Sequence, residues 1–197
     1  MHRNWRNTIF SDEKKFNLDG PDGYNSYWRD LRKEPRYFAK RNFGGGSLMV
    51  WGAFHTNGML KLAFPSKKMN SDEYISILQN NLLPFLQENN TINWSFQQDN
   101  ASIHTSRKVI AWFEENDINI IKWPACSPDQ NPMENIWGII VTKVYAENQQ
   151  YPNVSELKNA IIKISNEIST DIFRKLIDSV PDRVFELITK KGGPTKY

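Results

Sequence analysis

The chain has 197 residues, 39% of them hydrophobic and 13% aromatic, which suits one compact domain with a substantial core. Its one cysteine, Cys126, excludes an internal disulfide framework and fits a reducing compartment, and with only three scattered histidines beside it a zinc site is a poor fit. A net charge of +3 and a pI near 8.9 are compatible with a nucleic-acid partner without establishing one, and no apolar run has the length of a membrane span.

From Thr8 to Leu18 the residues alternate as in a strand, with Phe10, Asp12, Phe16 and Leu18 on one face and Lys14 as its polar exception. A carboxylate on an apolar face is costly unless it is paired, hydrogen-bonded or bound to a metal, which singles out Asp12. A helix start at Ser11-Asp12-Glu13 is the competing reading, but Asp19-Gly20-Pro21-Asp22-Gly23 soon breaks the chain. Between Arg29 and Arg41, six basic residues (Arg29, Arg32, Lys33, Arg36, Lys40, Arg41) face two acidic ones, with Tyr27, Trp28, Tyr37, Phe38 and Phe43 interleaved. Basic side chains release counterions from a phosphate backbone and rings stack on bases, so the stretch suits DNA; a solvated hairpin face would have the same composition.

Gly44-Gly45-Gly46 leads into Ser47 to Phe54, and Asn57-Gly58 turns the chain into Met59 to Phe64, which predicts a hairpin. The glycine triplet lacks the Lys-Ser/Thr of a phosphate-binding P-loop. Asn70 to Leu86 reads as a helix capped at Asn70, with Pro84 ending or kinking it. Ile92 to Gln98 reads as a strand that leaves Asp99 at its end, a place where sheets flanked by helices set catalytic groups; an Asx-turn with Asn100 is the plain alternative. Ser106 to Glu115 is predicted to be a helix with Val109, Ile110, Trp112 and Phe113 inward, and Ile118 to Lys122 a strand.

Pro124, Pro128 and Pro132 forbid regular structure up to Asn131, and Asn131-Pro132 then supplies an N-cap and a first helical proline. Met133, Ile136, Trp137, Ile140, Val141 and Val144 form an apolar stripe with Glu134 at its edge, and Gly138 leaves the space above that carboxylate open. Asn131 and Glu134 also have the spacing of a capping box, in which the glutamate bonds back to the N-cap amide. Residues 154–168, 171–179 and 181–190 read as further helices. The order predicts one α/β domain, a mixed sheet covered by helices.

Asp12, Asp99 and Glu134 thus mark three separate elements. Three converging carboxylates make a hard-oxygen site suited to Mg2+ or Mn2+. Two such ions, about 3.5–4 Å apart, clamp an in-line displacement at phosphorus.

Phe10-Ser11-Asp12-Glu13, then Gln97-Gln98-Asp99-Asn100 with His104-Thr105-Ser106, then Ser127-Pro128-Asp129-Gln130-Asn131-Pro132-Met133-Glu134-Asn135-Ile136-Trp137 resemble the three signature blocks of DDE transposases of the mariner/Tc superfamily. Thirty-four residues lie between Asp99 and Glu134, as in the Tc-like branch. The resemblance extends to Gly45-Gly46-Ser47 through Trp51-Gly52 and to the closing Gly-Gly-Pro-Thr-Lys-Tyr. It implies a ribonuclease H-like fold with a five-stranded sheet, helices on both faces and extra C-terminal helices. It also implies Mg2+-dependent cleavage at transposon ends, with Mn2+ able to substitute, and joining of the freed 3′-hydroxyl to TA sites in target DNA. Asp12, Asp99 and Glu134 would hold two metal ions once DNA is bound. Asn100 and His104 are further candidates for DNA placement, although on sequence alone His104 suits a surface turn.

A nuclear protein acting on double-stranded DNA as a homodimer is the implied setting. Two departures stand out. Ala101-Ser102-Ile103 replaces the acidic residue, proline and basic residue common in the family, and the paired helix-turn-helix modules that precede this domain in the family are absent from the 197 residues. Residues 1–197 are therefore expected to be a single catalytic domain. A non-catalytic DNA-binding or dimerisation module derived from a transposase is the alternative, and a stand-alone ribonuclease H-like nuclease shares the chemistry.

Overall fold

The computed structural model describes residues 4–21, 46–125, 127–193 and 195–197. The basic aromatic stretch with Arg29, Arg32, Lys33, Arg36, Lys40 and Arg41 lies outside the described residues, as does Cys126. Strand β1 (Thr8–Asn17) runs antiparallel to β2 (Ser47–His55), which pairs with the short β3 (Gly58–Met59). Helix α1 (Ser71–Glu88) leads to β4 (Ser95–Gln97), and α2 (Arg107–Glu115) to β5 (Asn119–Ile120), both strands parallel to β1. The mixed five-stranded sheet has the order β3-β2-β1-β4-β5, so β1 lies at its centre. Four more helices follow: α3 (Met133–Val144), α4 (Val154–Asn166), α5 (Thr170–Asp178) and α6 (Val180–Thr189).

Strand alternation divides the core in two. Phe10, Phe16, Leu48, Val50 and Phe54 meet Met133, Ile136, Trp137 and Ile140 of α3 and the buried residues of α4 and α5. On the other face Ile9, Trp51, Ala53 and Phe96 meet Tyr74, Leu78 and Leu82 of α1 and Val109, Trp112 and Phe113 of α2. Helices therefore cover both faces, as expected. Among the described residues no helix is long and apolar enough to cross a membrane.

Several local expectations are corrected. The returning arm of the hairpin is regular only over Gly58–Met59, because the register slips by one residue between Phe54↔Met59 and the isolated bridge Trp51↔Ala63, an inserted residue that ends the ladder. Pro84 does not end α1, which continues to Glu88 with Leu82 buried and Phe85 and Leu86 packed on the core. Ile110 is 42% exposed, since the nine-residue α2 turns Val109, Trp112 and Phe113 to the sheet and has no room on that face for a fourth. Pro128–Gln130 forms a single 3-10 turn, so prolines did not exclude all regular structure there.

Candidate active site

Asp12 lies on the central strand opposite Gly52. A Cβ at Gly52 would come within 2.8 Å of Met133 Cε and 2.9 Å of Trp137 Cη2, so the missing side chain lets the first turns of α3 seat directly on the sheet. Trp137 then donates its indole N–H to Asp12 Oδ2 at 3.0 Å. Burial, with the negative charges of Glu134 and Glu13 added, pushes the Asp12 carboxyl up to about 8 against the opposing hydrogen bonds from the Glu13 amide and Trp137.

Asp99 sits two residues beyond β4 and accepts from the Ala101 amide at 2.9 Å, so the Asx-turn reading is correct in geometry. The same Oδ1 lies 2.6 Å from His104 Nδ1, the hydrogen bond that chiefly holds the Asp99 carboxyl below its ordinary range. His104 Nε2 is 3.4 Å from Glu13 Oε1, and its ring rests on Tyr74 with centroids 4.2 Å apart. Burial alone would lower the imidazole, but Asp99 and Glu13 outweigh it and raise it to about 9. At 2% exposure His104 is neither a surface-turn residue nor one with surface to offer DNA; it is a strut beneath Asp99.

Glu134 occupies the first turn of α3, with Oε2 3.8 Å from Lys14 Nζ. The expected N-cap moves by one residue: Pro132 stands at the cap, while Asn131 accepts from the Met133 amide at 3.0 Å and donates to the Ser11 carbonyl at 3.0 Å. The Asn131 amide is taken by the Pro128 carbonyl at 3.0 Å, so Glu134 is not engaged in a capping box. Its side faces open space at Gly138, where an added Cβ would meet nothing within 4 Å.

Asp12, Asp99 and Glu134 line one cleft of about 340 Å³. Asn100 also lines it and ties its two loops together by donating to the Trp123 carbonyl at 2.8 Å. Among the described residues no group of three or more His, Cys, Asp or Glu side chains forms a preformed metal cage. The donor chemistry nevertheless fits a divalent cation: three carboxylates share the cleft, and burial, with the charges of Glu134 and Glu13 added, already drives a proton onto Asp12.

Gln97, Glu13 and Trp137 were not foreseen as site residues. Gln97 is fully buried at the edge of the cleft, and neither of its carboxamide atoms has a partner among the described residues. Its position two before Asp99, on the same side of the strand, is the signal that would have found it.

The family model described as DDE superfamily endonuclease matches residues 7–158, a span that takes in all three carboxylates. The chain belongs to the DDE superfamily endonucleases. Within this superfamily it is similar to the transposable element Tc3 transposase of Caenorhabditis elegans, 49% identical over all 197 residues and covering 60% of that protein. The chain thus spans about three-fifths of this relative's length. Its fold is similar to that in the Mos1 transposase paired-end complex with left transposon end, with a TM-score of 0.82 at 21% identity over 98% of this chain and 57% of that one. The mariner Mos1 paired end complex with Mg gives 0.82 at 20% identity, over 98% and 58%. The ribonuclease H-like fold expected for a DDE endonuclease is present.

Proposed function

We propose that this chain is the catalytic domain of a DDE transposase, which cuts phosphodiester bonds at transposon ends and joins the 3′-hydroxyl to TA target sites. The observation that carries the reading is the convergence of Asp12, Asp99 and Glu134, from a central strand, a strand end and a helix start, on one cleft. The Tc3 relative is a transposase, and the similar Mos1 structures hold a transposon end in one case and Mg in another.

Asp12, Asp99 and Glu134 would hold Mg2+ or Mn2+, two ions when DNA is bound. Bound there, the metal supplies charge stabilisation at phosphorus and an activated oxygen nucleophile. The chain's own groups set the stage. Trp137 fixes one oxygen of Asp12, whose carboxyl holds a proton that a bound cation would displace to solvent. His104, backed by Glu13, fixes Asp99. Asn100 joins the loops that form the walls, and the basic stretch from Arg29 to Arg41 is proposed to grip the DNA backbone. End pairing by a homodimer and a nuclear setting belong to the same proposal.

The test is nicking of a supercoiled plasmid by this chain in Mg2+ or Mn2+, beside Asp99→Asn. Metal-dependent nicking reduced by at least about a hundredfold in the variant is expected. DNA bound with equal affinity by both proteins and cut by neither would instead identify a non-catalytic binding module. Cleavage confined to RNA–DNA hybrids would identify a ribonuclease.

A further inference from the structure

Arg183 is a buried cation that the chemistry above does not use. It is 2% exposed, and its guanidinium spends its donors on three elements at once: Nε on Ser179 Oγ at 3.0 Å, Nη1 on the Asp129 carbonyl at 2.9 Å, and Nη2 on Asn135 Oδ1 at 2.8 Å. Asp129 belongs to the 3-10 turn before α3, and Asn135 is the neighbour of Glu134. One side chain of α6 therefore pins both the turn and the helix start that carry Glu134.

The end of the chain closes over this cation. Helix α6 stops in a Schellman motif, in which the Gly192 amide donates to the Leu187 carbonyl and the Lys191 amide to that of Ile188, with Lys191 and Gly192 both at positive φ. That reversal sends the tail back along α6. The Lys196 amide donates to Glu186 Oε1 at 3.2 Å, Thr195 Oγ1 donates to Asp129 Oδ2 at 2.6 Å, and the Tyr197 ring lies 4.5 Å from the Arg183 guanidinium carbon. Thr195 and Arg183 thus hold Asp129 by its side chain and its carbonyl respectively, and Tyr197 covers the cation that does the rest.

We propose that Arg183, Thr195 and Tyr197 are positioning residues for Glu134, a latch that keeps its carboxylate in place beside Asp12 and Asp99. The inference rests on the reading of Glu134 as a metal ligand. Among the described residues Tyr197 belongs to neither core cluster and Thr195 bonds to Asp129, so loss of the tail contacts should loosen the Glu134 turn and leave the rest folded.

The experiment titrates the whole chain with Mn2+ alone, following free Mn2+ by its electron paramagnetic resonance signal, with metal-free thermal unfolding measured in parallel. Thr195→Val with Tyr197→Ala should raise the Mn2+ dissociation constant about three- to tenfold, below the span typical of partners bonded directly to a ligand. Arg183→Met should do the same or more, and Tyr197→Phe, which keeps the ring, should bind like the parent. If Arg183→Met does not fold, the tail variants carry the test. Glu134→Gln is the reference. Weakened binding in Glu134→Gln beside unchanged binding in the tail variants overturns the latch, even if their unfolding midpoint falls. Unchanged binding in Glu134→Gln overturns the ligand role of Glu134 and the latch with it.

Discussion

Asp12 is the residue whose surroundings conflict most with its chemistry. Its carboxyl is raised from an ordinary 3.8 to about 8, first by burial and then by Glu134 and Glu13. Between those values the folded protein keeps a proton that the unfolded chain has released, so stability is fully present below about 4 and declines as pH rises toward 8. Asp12→Asn keeps the shape and removes the titration. The metal-free variant should therefore be more stable than the parent at pH 8, by on the order of 1–3 kcal/mol, with the gap closing toward pH 4. Urea unfolding at both pH values measures it, and a gap that does not change with pH would sink the assignment. The same substitution should abolish metal-dependent nicking, so stability and activity move in opposite directions. Asp12 was legible in the sequence because a carboxylate breaks the apolar alternation of Phe10, Phe16 and Leu18. The role of His104 was not, because Glu13 reaches it from β1 while Asp99 stands on the loop beyond β4, and only the packed sheet brings Glu13 to the same ring.

Two glycines show how closely α3 is fitted to the sheet on one face and how free it is on the other. At Gly52 an added methyl meets Met133 and Trp137 at under 3 Å, and the indole cannot retreat without losing its bond to Asp12. Gly52→Ala should cost about 1–3 kcal/mol in urea unfolding. At Gly138 nothing lies within 4 Å, so Gly138→Ala inside the helix should stabilise by about 0.5–1 kcal/mol. A stabilising Gly52→Ala would mean that the helix seats farther from the strand than it does here. The caps at Asn70, Ser106 and Asn153 follow from local chemistry, as each accepts the amide of the third residue on. The short β3 and the outward Ile110 depend instead on which neighbour a segment finds in the folded protein, and sequence periodicity does not report that.

At the scale of the whole molecule, a chain of net charge +3 gathers Asp12, Glu13, Asp99 and Glu134 around one seam between its two cores. The metal-free protein answers by holding protons there: Asp12 near 8 and His104 near 9. Both groups are raised above their unfolded values, so both contribute stability at low pH that is lost on the alkaline side, His104 between about 6.5 and 9. A divalent cation held by Asp12 would reverse this dependence, since it would compete with the proton there and gain as that proton leaves. Because a ligand that binds only the folded state stabilises it more the tighter it binds, a fixed concentration of Mg2+ should raise the unfolding temperature more at pH 8 than at pH 6. In Asp12→Asn the pH dependence of that increment should largely vanish. Equal increments at both pH values in the parent would remove Asp12 from the ligand set, whereas an increment larger at pH 8 and lost in the variant would tie the proton and the metal to the same carboxylate.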